Sequence, residues 1–469
     1  VHFIDILVFS VYAVAIVLVG LWFLRKNTGN EDYFLGGRNM SYPHIGLSVV
    51  ATDVGGGFSI GLGGLGYLMG LSGSWLLFTG LLGAWLSAVF LIPIVKPLSD
   101  THRFFTMPQL FHHVYGRRAA YIAAVISAIG YIGFTSAQML AGAKLASATF
   151  PEIGLTTALW IMGVIIVVYT VMGGIKAVIY TDTFQWILLM VGLCFVGIPI
   201  AWTAVGGYSE IVRVLDPSML RLDQISIWQA VNWAVTIIPI WFVGMTLYQR
   251  IYASRNVKDA KKAWYVAGFF EWPVMAFMGV LLGMLSRVAA EQGMFAPLGY
   301  ADAAMLDPEM GLPLLLRTVL PVGFMGLMLA AYFSAVMSTA DSCLVAASGN
   351  VVSDIIKPKN EIRSSQLITL LIGGIAIGLA SFMENVLDVM LYSYAFMVSG
   401  LFVPVLAALF LSRHSTKGAI LAMIVGGSVT VWFTLAPPGW ILAQADPNLY
   451  GLLSSTIIYF ICHVSERQT

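Results

Sequence analysis

Of 469 residues, 59% are hydrophobic and only 10% charged, and the formal net charge is +1. Such a composition excludes a soluble globular domain and a disordered tail, and it offers no basic surplus for nucleic acid. It fits a helical protein of many membrane spans, with 47 glycines for close helix approach and 13 tryptophans for the interfaces.

Taken in order, the apolar runs give an all-α polytopic membrane protein of about thirteen spans, by the criterion of roughly 20 residues each. Numbered from zero, span zero runs from Phe3 to Leu24 and ends at Arg25-Lys26. No cleavable signal peptide is expected there, because the run lacks a basic n-region and a small-residue cleavage site. Five spans follow: Pro43–Gly70, Ser74–Val95, Ala119–Phe150, Leu155–Met172 and Val178–Val205. Five more run over Ile227–Gln249, Ala263–Arg287, Leu314–Ile355, Gln366–Met383 and Val386–Leu411, and Ala419–Leu435 and Leu449–Val464 close the chain. The eighth is overlong and is expected to end in a soluble helical extension.

Under this count most basic residues, among them Arg38, Lys96, Arg103, Arg117, Arg118, Arg250, Lys261 and Lys357, fall on one side. Lys144, Arg213, Arg221, Arg287 and Arg317 do not. Basic loops face the cytoplasm, so the N-terminus is expected outside and the C-terminus inside. The three cysteines, Cys194, Cys343 and Cys462, lie in apolar runs without paired spacing and read as core residues.

The first core span holds Ala51-Thr52-Asp53-Val54-Gly55-Gly56-Gly57 at its middle. Consecutive glycines break a helix, and in hydrocarbon the freed N–H and C=O groups must find partners. A break beside an acid at mid-depth points to a cation or solute site in a discontinuous helix. The sixth core span carries Pro239 and Gly244 near its middle. Each interrupted span opens a block of five, and because five is odd the second block is inverted. The expected organisation is an extra helix in 1–26, one repeat in 43–205, its inverted copy in 227–411 and two helices in 412–469, with the site where the broken helices meet.

The eighth core span reads Phe333-Ser334-Ala335-Val336-Met337-Ser338-Thr339-Ala340-Asp341-Ser342. Its hydroxyls and Asp341 make an oxygen-rich stretch of the kind that hard cations prefer. Lone hydroxyls more often bond back to their own helix, but an intramembrane carboxylate favours an ion role. Here the chain resembles the sodium/solute symporter family over nearly its whole length. The matching stretches are Glu31–Arg38, Ala51–Val54, Gly173–Ala177 with Tyr180-Thr181-Asp182, Gln249-Arg250 and Ala335–Ser342. The resemblance implies the leucine-transporter type of fold, with ten core helices in two inverted repeats. It also implies a sodium site formed by the backbone carbonyls of Ala51, Val54 and Ala335 and the hydroxyls of Ser338 and Thr339. A second sodium or a proton would use Asp182, Asp341 and Ser342, with Ser338 beside them. The wording of the motifs is closest to the choline-transporter branch, while Asp53 matches the proline-transporter branch.

The expected solute contacts are Asp53, Phe58, Trp75, Gln138, Trp241, Glu271 and Tyr394, with Tyr392 nearby. Aromatic faces hold ammonium groups, and an acid at Glu271 favours a cationic or zwitterionic solute over a sugar or an anion. The function expected is a sodium-coupled importer of an amino acid, proline or choline-like compound, binding one sodium with provision for a second. The alternatives are a symporter of sugar, monocarboxylate or pantothenate-like anion, and a transporter-like sensor. The partners are a small molecule and the lipid bilayer of the cell membrane, without nucleic acid. A membrane enzyme is disfavoured, because the spans hold no nucleophile–base pair. The run Gly61–Gly66 lacks the preceding strand of a phosphate loop and reads as helix packing. His102, His112 and His113 read as solvated.

Overall fold

The computed structural model describes residues 2–26, 35–53, 55–150, 152–358, 361–439, 442 and 444–468. Among them the fold is helical, with a single isolated β-bridge between Met40 and Ser254. The helices used below are α1 (Phe3–Lys26), α2 (Tyr42–Asp53), α3 (Gly56–Met69), α4 (Trp75–Phe90), α5 (Arg117–Thr149) and α6 (Leu155–Val191). The second half supplies α7 (Ile227–Val243), α8 (Met245–Ala253), α9 (Val257–Phe269), α10 (Ala276–Glu291), α11 (Pro308–Val319), α12 (Phe324–Asn350), α13 (Glu361–Ala380) and α14 (Val386–Phe410). Helices α15 (Thr416–Leu435) and α16 (Pro447–Gln468) pack on each other at the end.

Nine helices among the described residues are long and apolar enough to cross a membrane, or ten if α7 and α8 form one bent span. The expected count of about thirteen is thus not reached on length and apolarity. Two shorter apolar helices, Phe3–Ile16 and Leu155–Val171, account for part of the difference. Another part is Ser59–Phe90, which joins portions of two expected spans through the turn at Gly70, where φ is +65°. Within α6, Tyr169 Oη and Thr181 Oγ1 lie 3.2 Å apart although twelve residues separate them. A straight helix would hold them about 18 Å apart, so α6 is not a straight rod, and its apolar stretches fall into Leu155–Val171 and a run that starts at Val178.

The structure sharpens two of the expected spans. In the sixth core span Pro239 stays inside α7, and the interruption falls at Gly244, where the two halves bend by 42°. A proline is tolerated in a buried membrane helix because its neighbours satisfy the freed carbonyl. In the eighth core span, expected over Leu314–Ile355, the helical run begins only at Phe324 and continues for 33 residues to Ile356. Residues Pro308–Val319 form the separate α11, and Pro321 with Gly323 (φ +88°) starts α12 afresh.

Helix α12 is the axis, and its whole membrane window is buried inside the protein. It packs on α5 and α6, while α10 packs on α3, α14 on α5 and α7 on α4. Its first turn is capped from far away in sequence: Asp5 Oδ1 accepts from the backbone N–H of Gly323 at 2.7 Å and of Gly326 at 2.9 Å. Near the end of α5, Lys144 is almost fully buried and binds Asp307 at 2.6 Å and Glu309 at 2.7 Å. Glu309 in turn accepts from the N–H groups of Val386 and Leu387, so one carboxylate closes the first turn of α14 while pairing with α5.

Asp5→Ala leaves two N–H groups at the start of α12 without their acceptor. It is expected to lower stability by about 1 kcal/mol, read as a fall in the thermal unfolding midpoint in detergent, while Asp5→Asn keeps most of the loss from appearing.

Candidate ion and solute site

Two interrupted helices leave two N-termini inside the protein, and α5 meets both. At the first, the N–H of Gly57 donates to Gln138 Oε1 at 2.8 Å. At the second, the N–H of Thr246 donates to Tyr131 Oη at 3.1 Å. Each cap acts on the second residue of the restarted helix, and the two capping residues stand about two turns apart on one face of α5. Gln138, expected to contact solute, is therefore also the partner of the broken backbone. A Cβ on Gly57 would lie 2.4 Å from Gln138 Nε2, so any other residue there would push the amide aside.

On the other side of the first break the end of α2 meets α12. Thr339 Oγ1 lies 3.1 Å from the carbonyl oxygen of Ala51 and 3.3 Å from that of Ala335. A Cβ on Gly55 would sit 1.5 Å from the same hydroxyl oxygen. The glycine is required for α2, α3 and α12 to come this close. Three of the five expected sodium oxygens thus converge around one point. Val54 lies outside the described residues. Ser338 is turned toward α6, where it donates to Asp182 Oδ1 at 2.5 Å.

The residues expected around a second ion separate into two environments. Asp182 and Ser342 face Arg250 of α8, whose side chain is fully buried. Arg250 Nη2 lies 3.1 Å from Asp182 Oδ2, 2.8 Å from Ser342 Oγ and 2.5 Å from Thr52 Oγ1. Its Nε donates to Ser48 Oγ at 2.9 Å, and its Nη1 to the carbonyl of Thr246 at 3.1 Å. Ser48 also donates to Asp182 at 2.5 Å. Asp341 faces the other way: its Oδ1 accepts from Thr170 at 2.6 Å, and its Oδ2 has no hydrogen-bond partner among the described residues. Consecutive residues on a helix point about 100° apart, which is why Asp341 and Ser342 cannot share one face.

The expected solute residues also divide. Two glycines one turn apart on α4 receive two of them: a Cβ on Gly80 would lie 2.1 Å from Glu271 Oε2, and one on Gly83 2.3 Å from Trp241 Cδ1. Trp241 and Glu271 thus reach the same face of α4, both fully buried, and the indole N–H of Trp241 has no hydrogen-bond partner among the described residues. Glu271 gets there because the helix between α9 and α10 is irregular over Phe270–Met275, with Trp272 at φ −118°, ψ 78° before Pro273. Trp75 stands apart, stacked on Trp272 at 5.8 Å and donating to the Leu222 carbonyl at 2.7 Å. Tyr394 stacks on Phe134 of α5 at 4.7 Å, and Tyr392 is exposed. The side chains of Asp53 and Phe58 lie outside the described residues.

Sequence reasoning counted Arg250 as a basic residue of the cytoplasmic side and as part of the Gln249-Arg250 match, and gave it no role at the site. It also passed over Tyr131, Ser48 and Thr52. The available signals were an arginine within two turns of the Gly244 break, and Pro273 directly after the Glu271-Trp272 pair. Among the described residues no group of three or more His, Cys, Asp or Glu could hold a metal ion; the oxygens that meet at the first break are two carbonyls and a hydroxyl.

The model of the sodium:solute symporter family matches residues 33–426. The chain belongs to that family. It is a multi-pass membrane protein and a sodium-coupled symporter of a small molecule, not an enzyme. A sodium/glucose cotransporter of Vibrio parahaemolyticus is 27% identical, over 97% of this symporter and 89% of that protein. The osmoregulated proline transporter OpuE of Bacillus subtilis is 27% identical, over 91% and 88%. Among solved structures, a sodium-coupled sialic acid symporter superposes with a TM-score of 0.78 at 22% identity, covering 98% of this chain and 97% of that one. At that identity the likeness concerns the fold.

Gly55→Ala forces a methyl group against Thr339 and is expected to destabilise the symporter by about 1–3 kcal/mol. Adding Thr339→Gly should restore most of that loss in a thermal unfolding cycle; simple additivity would mean the two residues are not in contact.

Proposed function

We propose that this chain imports a small sugar, amino acid or related zwitterion together with sodium by alternating access. The repeat over 43–205 and its inverted copy over 227–411 would rock about the two breaks. The observation that carries this reading is the convergence of the Ala51 and Ala335 carbonyls and the Thr339 hydroxyl at a break that tolerates only glycine. A carbonyl near the end of α2, a carbonyl within α12 and a hydroxyl form a hard-oxygen donor set, with the Val54 carbonyl and Ser338 as further members. Sodium there would draw the end of α2 onto α12 and hold the Gly55–Gly57 turn in one conformation. Ion and solute then raise each other's affinity by the same factor. The basic side faces the cytoplasm, with the N-terminus outside and the C-terminus inside.

For the solute, the glucose and proline transporters among the relatives support a neutral or zwitterionic molecule. Glu271 and Trp241, on one face of α4, support an ammonium group within it, which selects an amino acid or imino acid. Asp53, Phe58, Gln138 and Tyr394 would complete the cavity. The sugar reading rests on the cotransporters and needs no role for the Glu271 charge.

Thr339→Ala is expected to weaken apparent sodium affinity about tenfold, equivalent to ~1.4 kcal/mol, and Ser338→Ala to weaken it less. Equal sodium dependence in wild type and Thr339→Ala, at matched protein levels, overturns the ion assignment. Sodium-dependent counterflow in liposomes, run with proline, choline, glucose and a monocarboxylate, identifies the solute class. Glu271→Gln should abolish amino-acid counterflow; if glucose alone exchanges, and does so equally in the variant, the sugar reading stands in its place.

A further inference from the structure

Five oxygen groups surround the Arg250 guanidinium: the hydroxyls of Ser48, Thr52 and Ser342, the Asp182 carboxylate and the Thr246 carbonyl. They come from α2, α6, α8 and α12, and one carboxylate among neutral oxygens is the donor set a single monovalent cation requires. The cation is supplied by the chain itself. An arginine keeps its charge under all conditions of interest and presents its donors in a fixed fork, so it can satisfy such a shell permanently.

The position of this shell matters as much as its composition. Thr52, bound by Nη2, directly follows Ala51, and Ser338, bound to Asp182, directly precedes Thr339. The guanidinium cluster therefore grips the neighbours of two residues whose oxygens meet at the first break. Arg250 itself sits four residues after Thr246, the residue capped at the second break. One buried ion pair ties both interrupted helices to α6 and α12.

We propose that Arg250 is a tethered second cation. It takes the place of the second ion that the family resemblance implies, so this symporter binds and moves one sodium per solute, at Ala51, Ala335 and Thr339. The proposal rests on the sodium-coupled reading above and specifies its stoichiometry. A second sodium cannot enter the same oxygen shell without displacing the guanidinium, because the shell holds one negative charge and Arg250 already neutralises it.

The test is equilibrium binding of radioactive sodium to the purified full chain without solute, with the charge-to-solute ratio measured from reversal potentials in liposomes. The wild type should bind one sodium with a Hill coefficient near one and move one sodium with each solute. Arg250→Ala opens the shell, so a second class of sodium site should appear and the Hill coefficient rise, and Asp182→Asn in the same chain should remove that class again. Two sodium ions bound to the wild type overturn the proposal and leave sodium coupling intact. So does a folded Arg250→Ala that still binds only one. No sodium binding at all overturns the sodium-coupled reading itself. If Arg250→Ala does not fold, the wild-type count decides, since it needs no substitution.

Discussion

A helix interrupted in hydrocarbon must have its loose N–H groups satisfied by something other than water, and in this protein that duty falls on one helix. Gln138 and Tyr131 project from the same face of α5 and close the restarted helices α3 and α8 at equivalent positions. Everything at the site depends on those two hydrogen bonds. They free the opposite sides of the breaks to present carbonyls, and they fix where α3 and α8 begin. Without them an unpaired N–H on each side would favour straight helices, and straight helices would have no inward-facing carbonyls to offer.

Buried charge serves the same end. Arg250 with Asp182 beside the second break, and Lys144 with Asp307 and Glu309 nearer the start of α14, are ion pairs with at least one fully or nearly fully buried member. Such pairs contribute little net stability compared with apolar packing, yet losing one partner is costly. Their value is positional. Each links helices distant in sequence, and Glu309 adds the backbone of α14 to its pair. The axial helix α12 threads between the two, carrying Thr339 and Ser338 to the place where α2 ends.

Much of this could be read from the chain because the membrane makes exceptions conspicuous. Three glycines beside Asp53 inside an apolar run pointed to a break, and the hydroxyls of Ser338–Ser342 with Asp341 pointed to an inward face. Other features were hidden for physical reasons. The charge of Arg250 made it look like a loop residue, since a sequence does not say whether a cation points to water or to an aspartate 68 positions away. Lys144 was an exception to the charge asymmetry for the same reason: it is a buried partner and not a topological signal. Pro239 and Gly244 both marked the sixth core span as interrupted; the protein absorbs the proline within α7 and bends at Gly244. The irregular turn at Trp272, which lays Glu271 against α4, follows from Pro273 yet could not be aimed without knowing that Gly80 lay opposite.

The cap that Asp5 places on α12 bears on how the chain is built. A ribosome makes helix α1 more than three hundred residues before α12. Until then the Asp5 carboxylate has no N–H groups to bind, and it can wait only at the hydrated edge of the bilayer. The axial helix, for its part, inserts with an uncapped first turn and gains its acceptor when α1 docks against it. Assembly of the core is therefore expected to finish with a contact between an early and a late segment, which makes α1 a late-acting clasp despite its early synthesis.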